Sequence, residues 1–156
     1  KIKNFSLEKN DDWIELSKRV DIIPPSLGIA QSVIESNWGT SRFATEANNY
    51  FGIWCFSKGC GVVPRQRPEG QTYEIKKYPS MQASIKDYYK TINTNSHYKA
   101  LRDARYQHHI DGTLLSGASL APYLTRYSTE GMRYVRSLEL TMSSHQLDQF
   151  DAKVTS

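Results

Sequence analysis

The sequence predicts a mostly helical α+β domain with a small β-hairpin inserted between its helices. Apolar residues recur at helical spacing in the segments before Asn48 and after Tyr78. Between those two residues the period changes, and glycine, proline and single apolar residues indicate a loop and a hairpin. A length of 156 residues suits one domain, large enough to bury roughly two-thirds of its unfolded surface. Residues 1–156 are therefore expected to form a single domain.

Three helices are predicted before the hairpin. The first covers about residues 11–20, where apolar side chains fall on one face. The second begins near Pro25, a residue suited to a first helical turn, and Gly39 predicts its end. Ser41 is the predicted N-cap of a short third helix over residues 42–47.

Four helices are predicted after the hairpin. Ser80 and Thr129 are the predicted N-caps of the first and the last of them, since each precedes a run of apolar residues at helical spacing. The stretches "YKALRDAR" and "LLSGASLAPYL" between them indicate two shorter helices. The helices on both sides of the hairpin account for the predicted fold class.

The composition limits the classes of partner. Lys and Arg number 20 against 16 Asp and Glu, a formal charge of +4, which favours anionic partners, and both nucleic acid and bacterial wall polymer qualify. The ten Tyr and three Trp suit a protein that holds sugars or bases. No apolar run approaches the roughly 20 residues of a membrane span. The chain begins with Lys1, so we expect a targeting segment to be missing from this fragment.

The two cysteines, Cys55 and Cys60, lie in the turn-rich stretch "WCFSKGCG". A disulfide between them would indicate an oxidising compartment, whereas two reduced structural thiols would not. A metal site is the third alternative, but the four histidines lie far downstream. No phosphate-binding glycine loop and no cluster of metal ligands stands out, so neither a cofactor nor a metal is expected.

Glu35 occupies an unusual place for a carboxylate. It stands near the C-terminal end of the second helix, where exposed carbonyls disfavour negative charge, between Ile34 and Trp38 and four residues after Gln31. Partial burial among such neighbours raises the pKa of a carboxyl group. A protonated carboxylic acid is what cleavage of a glycosidic bond requires as a general acid. The alternative is an ordinary solvent-exposed glutamate.

Several stretches together resemble a known family. "AQSVIESNWGTSRFATEANNYFGIW", "WCFSKGCGVVPRQRPEG", "YPSMQASIKDYYKTIN" and "LTRYSTEGMRYVRSLE" are similar, in order and spacing, to the glucosaminidase domains of glycoside hydrolase family 73, in particular the Bax-type bacterial members. The resemblance covers about residues 20–147. It implies a lysozyme-like fold and cleavage of the β-1,4 bond between N-acetylglucosamine and N-acetylmuramic acid in peptidoglycan.

The resemblance also implies roles for particular residues. Glu35 matches the general acid, and Tyr127 matches a tyrosine near the reacting sugar that could orient the N-acetyl group or stabilise positive charge at the anomeric carbon. A buried core tyrosine is the alternative for Tyr127. Asn48 is expected to shape a turn below the cleft, together with its neighbour. The residues expected at the substrate are Gln31, Trp38, Asn49, Phe51, Trp54 and Tyr78, of which the three aromatic residues from position 51 onward suit a core equally well.

The second carboxylate departs from the family pattern. The segment "PRQRPEGQTYEIKKY" offers Glu69 at a Pro-Gly turn and Glu74 beside Tyr73. We prefer Glu69, because a flexible tip could fold over the substrate. The third alternative is that neither acts, since the acetamido oxygen of an N-acetylated sugar can serve as an internal nucleophile.

The sequence therefore predicts a hydrolytic endo-β-N-acetylglucosaminidase. A lytic transglycosylase or muramidase on the same fold, and a non-catalytic wall-binding module, are the alternatives. The expected partner is the glycan strand of peptidoglycan rather than nucleic acid, and the expected state is a monomer. The expected location is the periplasm or another part of the bacterial cell envelope, or secretion from the cell.

Overall fold

The computed structural model describes residues 10–153, which divide into two compact units. Unit 2 is the continuous segment Gly28–Lys90, and unit 1 comprises the described residues before and after it. The helices are α1 (Asn10–Arg19), α2 (Pro25–Ser36), α3 (Arg42–Ala47), α4 (Met81–Thr94), α5 (Lys99–Asp111), α6 (Gly117–Leu120) and α7 (Met132–Ser144). Three 3₁₀-helices cover Ser96–Tyr98, Ala121–Leu124 and Leu147–Lys153. The strands are β1 (Trp54–Cys55), β2 (Gly61–Val62) and β3 (Glu74–Lys76).

Two of the predicted helix caps in unit 2 are confirmed. The hydroxyl of Ser41 accepts a hydrogen bond from the Ala44 N–H (3.2 Å), and that of Ser80 accepts one from the Ala83 N–H (3.2 Å). These bonds satisfy N–H groups that have no partner inside a first helical turn. The predicted end of α2 at Gly39 is wrong, because the helix stops at Ser36 and the next two residues adopt left-handed backbone angles.

The β region of unit 2 contains one strand more than the predicted hairpin. β3 is the central strand of an antiparallel sheet with the order β1-β3-β2. Gly61 on β2 faces the backbone of β3 so closely that a Cβ atom there would lie 1.9 Å from the carbonyl oxygen of Ile75. Only glycine fits that position. Cys55 pairs with Glu74, so these two side chains lie on the same face of the sheet.

Buried leucines and two buried arginines form part of the core of unit 1. The fully buried side chains include Leu101, Leu120, Leu124 and Leu138.

The last helix of unit 1 begins later than predicted. Gly131, with a φ of +57°, precedes α7, and no side chain caps this helix, which corrects the predicted cap at Thr129. Residues 10–153 contain no helix that combines the length and apolar character needed to cross a membrane.

Two buried arginines of unit 1 form hydrogen bonds with the backbone at the ends of helices α1 and α4. The guanidinium of Arg105 donates to the carbonyls of Lys18 (2.7 Å) and Ile22 (2.6 Å). That of Arg102 donates to the carbonyls of Ile92 (2.9 Å) and Asn95 (2.8 Å). These carbonyls lie at or just beyond the ends of helices, where intrahelical partners are missing. Each arginine therefore replaces hydrogen bonds that water cannot make in the interior.

Candidate active site

Glu35 lies on the last turn of α2 and is half-buried. The Cα of Gly52 faces its carboxyl group, and a Cβ atom built on Gly52 would lie 2.6 Å from Oε2 of Glu35 and 3.4 Å from its Cδ. Gly52 also has a φ of +67°, which side-chain-bearing residues rarely adopt. The missing side chain at position 52 thus makes the space in which the Glu35 carboxyl group lies.

The turn after Glu35 is strained. Asn37 and Trp38 have φ values of +48° and +56°, a region that bulky residues seldom occupy. Hydrogen bonds hold this backbone: the Trp38 N–H donates to the Val33 carbonyl (2.9 Å) and the Ser41 N–H to the Ser36 carbonyl (2.9 Å). Strain of this kind persists only where surrounding bonds fix it, and it concentrates at functional sites. The result here is a tryptophan that is 60% exposed, three residues after the carboxylate.

A buried polar and aromatic layer supports α2 in unit 2. The hydroxyl of Tyr88 donates to Oε1 of Gln31 (2.6 Å), and the Tyr88 ring stacks on Phe51 with centroids 4.1 Å apart. Gln31 is 0% and Phe51 4% exposed. Because Gln31 lies one helical turn before Glu35, this hydrogen bond fixes the helix that carries the carboxylate.

Asn49 fixes the loop that presents Gly52. Its side-chain N–H₂ donates to the carbonyls of Ile53 and Lys76 (both 2.8 Å), and its Oδ1 accepts from the N–H groups of Phe51 (3.3 Å) and Ile53 (3.2 Å). One buried amide therefore joins residues 51–53 to strand β3. This arrangement agrees with the turn-shaping role expected of the asparagine pair.

Tyr78, itself buried, belongs to a polar group with the partly exposed Lys76 and Asp87. Its hydroxyl donates to Oδ2 of Asp87 (2.7 Å), and Nζ of Lys76 lies 2.6 Å from the same oxygen. Burial, followed by the bond to Asp87, raises the pKa of the Tyr78 hydroxyl. Burial alone would raise the pKa of Asp87, but the hydrogen bonds from Lys76 and Tyr78 outweigh it and lower that pKa. Tyr78 thus holds a structural ion pair together.

The residues predicted to contact substrate separate into two groups. Trp38 and Trp54 are 60% and 50% exposed. The indole of Trp54 stacks on the ring of Tyr73 with centroids 4.2 Å apart and an angle of 11° between planes. The other four are at most 5% exposed, which favours packing and positioning over contact with a sugar: Gln31, Asn49, Phe51 and Tyr78.

Glu74 is fully engaged by the backbone. Oε1 accepts from the Gly59 N–H (2.9 Å) and Oε2 from the Gly61 N–H (2.8 Å). These two bonds hold the pKa of Glu74 below its ordinary value, because they stabilise the charged form. Glu69 is instead exposed, in a turn in which the Gln71 N–H donates to the Pro68 carbonyl (3.2 Å). Of the two proposed second carboxylates, Glu69 alone is open to solvent.

Cys55 and Cys60 form a disulfide that closes the loop held by Glu74. Their sulfur atoms and a carboxylate oxygen of Glu74 all lie within 4.8 Å of one another, which would suit a metal ion if the thiols were free. The disulfide consumes both thiols, and backbone N–H groups occupy both carboxylate oxygens. In this oxidised state the three residues hold the loop between β1 and β2 in a fixed conformation.

Tyr127 lies in unit 1 within an aromatic cluster. Its ring stacks on that of Tyr134, with centroids 5.7 Å apart and an angle of 3° between the ring planes. The angle between the ring planes of Tyr127 and Tyr98 is 38°. Tyr134 and Tyr98 are buried, whereas Tyr127 is half-buried. The cluster fixes the ring of Tyr127, and the role of its hydroxyl near the reacting sugar stays a prediction.

Gly52 is the site residue that the sequence reasoning missed. It lies in "NNYFGIW", where an isolated glycine in an apolar run is a signal of close backbone approach. That signal indicates that something approaches the glycine, but it does not identify Glu35 as the approaching group. The pairing depends on how the loop folds back onto α2.

The fold is shared with known proteins. Residues 10–147 match the Glucosaminidase family, described as mannosyl-glycoprotein endo-beta-N-acetylglucosaminidase. The chain belongs to this glucosaminidase family of glycoside hydrolases and has its α+β, lysozyme-like fold. The resemblance in the sequence is thereby confirmed.

Individual relatives agree with this assignment. The chain is 31% identical over 134 residues to Protein bax of Escherichia coli (strain K12), with 86% of this chain and 47% of the relative covered. It is 25% identical to Exo-glucosaminidase LytG of Bacillus subtilis (strain 168), with 81% and 46% covered. The chain therefore spans about half the length of the curated relatives it matches.

A solved structure shows the same fold. The catalytic domain of the autolysin Auto from Listeria monocytogenes superposes with a TM-score of 0.61 at 24% identity. The match covers 88% of this chain and 78% of that domain. At this identity the similarity concerns the fold alone.

The contact between Gly52 and Glu35 predicts a specific effect of one methyl group. Glu35 is the expected general acid, and in Gly52→Ala the new Cβ would displace its carboxyl group. We therefore expect a loss of roughly 10²-fold in rate, the cost of a shift of about 1 Å at a group that acts in catalysis. The measurement is the rate of glycoside hydrolysis per mole of folded protein.

Gly112→Ala is the matched control for this variant. Gly112 has a similar φ of +62°, but no atom lies within 4 Å of the position of a Cβ. In both variants the left-handed backbone conformation of alanine costs roughly 1–2 kcal/mol, so both should have a lower free energy of unfolding. Equal activities of the two folded variants would show that the contact with Glu35 does not matter.

Proposed function

We propose that this chain is the catalytic part of a peptidoglycan hydrolase that cleaves the β-1,4 bond on the reducing side of N-acetylglucosamine. The observation that carries the proposal is the half-buried carboxyl group of Glu35, which lies against Gly52 on one side and is followed by an exposed tryptophan. Membership of the glucosaminidase family supports the choice of bond. The acid group and the sugar-binding surface come from one short segment.

In this mechanism Glu35 is the general acid. A sugar alkoxide is a poor leaving group, so its oxygen must be protonated as the bond to the anomeric carbon breaks. The hydrogen bond between Gln31 and Tyr88 fixes the helix, and the Glu35 carboxyl group occupies space that a side chain at position 52 would fill. The side chain is therefore preorganised, which is the main contribution that a fold makes to proton transfer.

Exposed aromatic faces supply the sugar-binding surface. Trp38 projects from the strained turn next to Glu35, and Trp54 is held flat against Tyr73. Large, rigid rings bind sugars at a small cost in side-chain entropy because few torsions are frozen. We assign these two tryptophans to substrate binding and the buried set to their support.

Glu74 is a poor second catalytic carboxylate. Its two oxygens already accept hydrogen bonds from Gly59 and Gly61, and a base needs a lone pair directed at water. Glu69 on the exposed turn remains as a carboxylate that assists by charge or by activating water. The acetamido oxygen of the substrate is the alternative nucleophile, in which case Glu35 suffices as the protein acid.

The location of the protein follows from its substrate. Peptidoglycan lies outside the cytoplasmic membrane, and the disulfide between Cys55 and Cys60 is stable in an oxidising compartment. Alkylation of the native protein before and after reduction measures the free thiols. Two thiols that react without reduction would remove this support for an extracytoplasmic location.

Product analysis tests the proposed bond specificity. Digestion of purified sacculi should give fragments with reducing N-acetylglucosamine ends, which borohydride reduces and mass spectrometry identifies. Long fragments early in the digestion indicate endo cleavage, whereas release of small units from chain ends indicates exo cleavage. Reducing muramic acid ends would show a muramidase, anhydromuramic ends a transglycosylase, and no products a binding module.

Substitution of Glu35 tests the proposed acid. Glu35→Gln keeps the shape and removes the transferable proton, so hydrolysis of sacculi should fall by about 10²–10⁴-fold. Glu69→Gln on the exposed turn should fold equally well and lose less activity. Substantial hydrolysis by a folded Glu35→Gln protein would contradict the assignment, and circular dichroism reports the folding of each variant.

A further inference from the structure

Unit 2 contains an open cavity of about 630 Å³ that the proposed reaction does not use. It lies between α3 and the segment that follows β2. Its lining includes Thr40, Arg42, Phe43, Glu46 and Arg65. The charged groups in this set are two guanidinium groups and one carboxylate, so the cavity suits a ligand that carries both signs of charge, with negative charge in excess.

Arg42 is held in place but keeps donors to spare. Its Nη2 donates to the Val63 carbonyl (3.1 Å), and its guanidinium lies 5.7 Å from the centroid of the Phe43 ring. Its Nε lies 3.4 Å from a carboxylate oxygen of Glu46, yet this buried N–H has no hydrogen-bond partner among residues 10–153. A guanidinium has five N–H donors, and a carboxylate can accept two of them at once.

Arg65 and Glu46 are the exposed charges of the cavity. Arg65 forms no hydrogen bond and no ion pair within the described part of the chain, and it is exposed. The side chain of Glu46 is 57% exposed, so its ion pair with Arg42 is weak and can be exchanged for a ligand. An amino group on a ligand would replace Arg42 as the partner of Glu46.

The cavity adjoins the turn that follows the catalytic glutamate. The Ser41 N–H donates to the Ser36 carbonyl (2.9 Å), which brings the start of α3 back to the end of α2. Thr40 lines the cavity, and its hydroxyl donates to the Asn37 carbonyl (2.6 Å). The Cα atoms of Trp38 and Thr40 can be no more than about 8 Å apart. A substituent on a sugar held at Trp38 therefore lies within reach of the cavity.

We propose that this cavity binds the peptide stem of peptidoglycan, an inference that rests on the proposed function. Stems carry several carboxylates and, at the diamino acid, a free amino group. Arg42 and Arg65 would bind carboxylates and Glu46 would bind the amino group. The chain would then prefer glycan strands that carry stems over strands from which the stems have been removed.

Titration with the free stem tests the site without any hydrolysis. The probe is the tetrapeptide L-Ala-γ-D-Glu-diaminopimelate-D-Ala, and the measurement is calorimetry combined with amide chemical shifts. Arg65→Ala should weaken binding by about tenfold, the loss expected for a charge-assisted contact. Arg136→Ala, an exposed arginine on α7 in unit 1, is the matched control and should leave binding unchanged.

Two further comparisons identify the groups involved. Arg42→Lys keeps the positive charge but loses the bidentate hydrogen bonding to a carboxylate, so it should also weaken binding of the tetrapeptide. Acetylation of the side-chain amino group of diaminopimelate, with the N-terminal amino group of L-Ala unchanged, should weaken binding to the wild type and have little further effect on Glu46→Gln. No binding of the tetrapeptide at millimolar concentration, or equal binding by wild type and Arg65→Ala, would overturn the proposal.

Kinetics separate this proposal from the proposed function. Hydrolysis of stem-free glycan by the wild type tests the reaction alone. The ratio of kcat/KM on stem-bearing strands to that on stem-free strands should exceed one in the wild type and fall toward one in Arg65→Ala. Stem-free hydrolysis together with a ratio of one in the wild type would overturn the stem site and leave the reaction in place.

Discussion

The contact between the Glu35 carboxyl group and the Cα of Gly52 is the constraint on which the candidate site depends. A carboxyl group at the end of a helix meets unfavourable carbonyl dipoles, so the fold must hold it there by other means. A backbone without a side chain, in a conformation that favours glycine, lets the loop approach closely enough to do so. The close approach of Gly52 therefore limits where the carboxyl group of Glu35 can lie.

Several hydrogen bonds of unit 2 hold the two segments that meet at this contact. The side chain of Asn49 joins the Gly52 loop to the central strand by hydrogen bonds. The hydrogen bond between Gln31 and Tyr88 holds helix α2 in place. The disulfide and Glu74 close the neighbouring loop. Buried polar networks of this kind are expensive when incomplete and rigid when satisfied. The burial of these polar residues is thus consistent with a need for a precisely placed carboxylate.

The parts of this fold that the sequence predicts are the local ones. The caps at Ser41 and Ser80 depend on neighbours within three residues, and a hydroxyl before an apolar run predicts them directly. The end of α2 could not be predicted in the same way. Trp38 is unsuited by its own preferences to a left-handed conformation, and bonds to Val33 and across the turn impose it.

The site shows the same division between local and distant information. Glu35 could be proposed as a candidate acid because its place in the helix is unusual by itself. Asn49 is bonded to Lys76 on strand β3, and Tyr78 to Asp87 on helix α4. Because these partners lie on other elements, the supporting roles of the two residues could not be told apart from substrate contact by the sequence pattern. Strand β2 has two residues and no alternating pattern, which explains why only a hairpin was predicted.

The dependence of the rate on the leaving group tests the role of Glu35 most directly. A general acid matters when the leaving group is a sugar alkoxide and matters little when it is fluoride or dinitrophenolate, which depart without a proton. The measurement is the ratio of wild-type to Glu35→Gln rates on N-acetylglucosamine substrates with each kind of leaving group. The account predicts a ratio of about 10² or more for the sugar and a ratio near one for the activated groups. An equal loss on both kinds of substrate would contradict it, because Glu35 would then act in some way other than donating a proton.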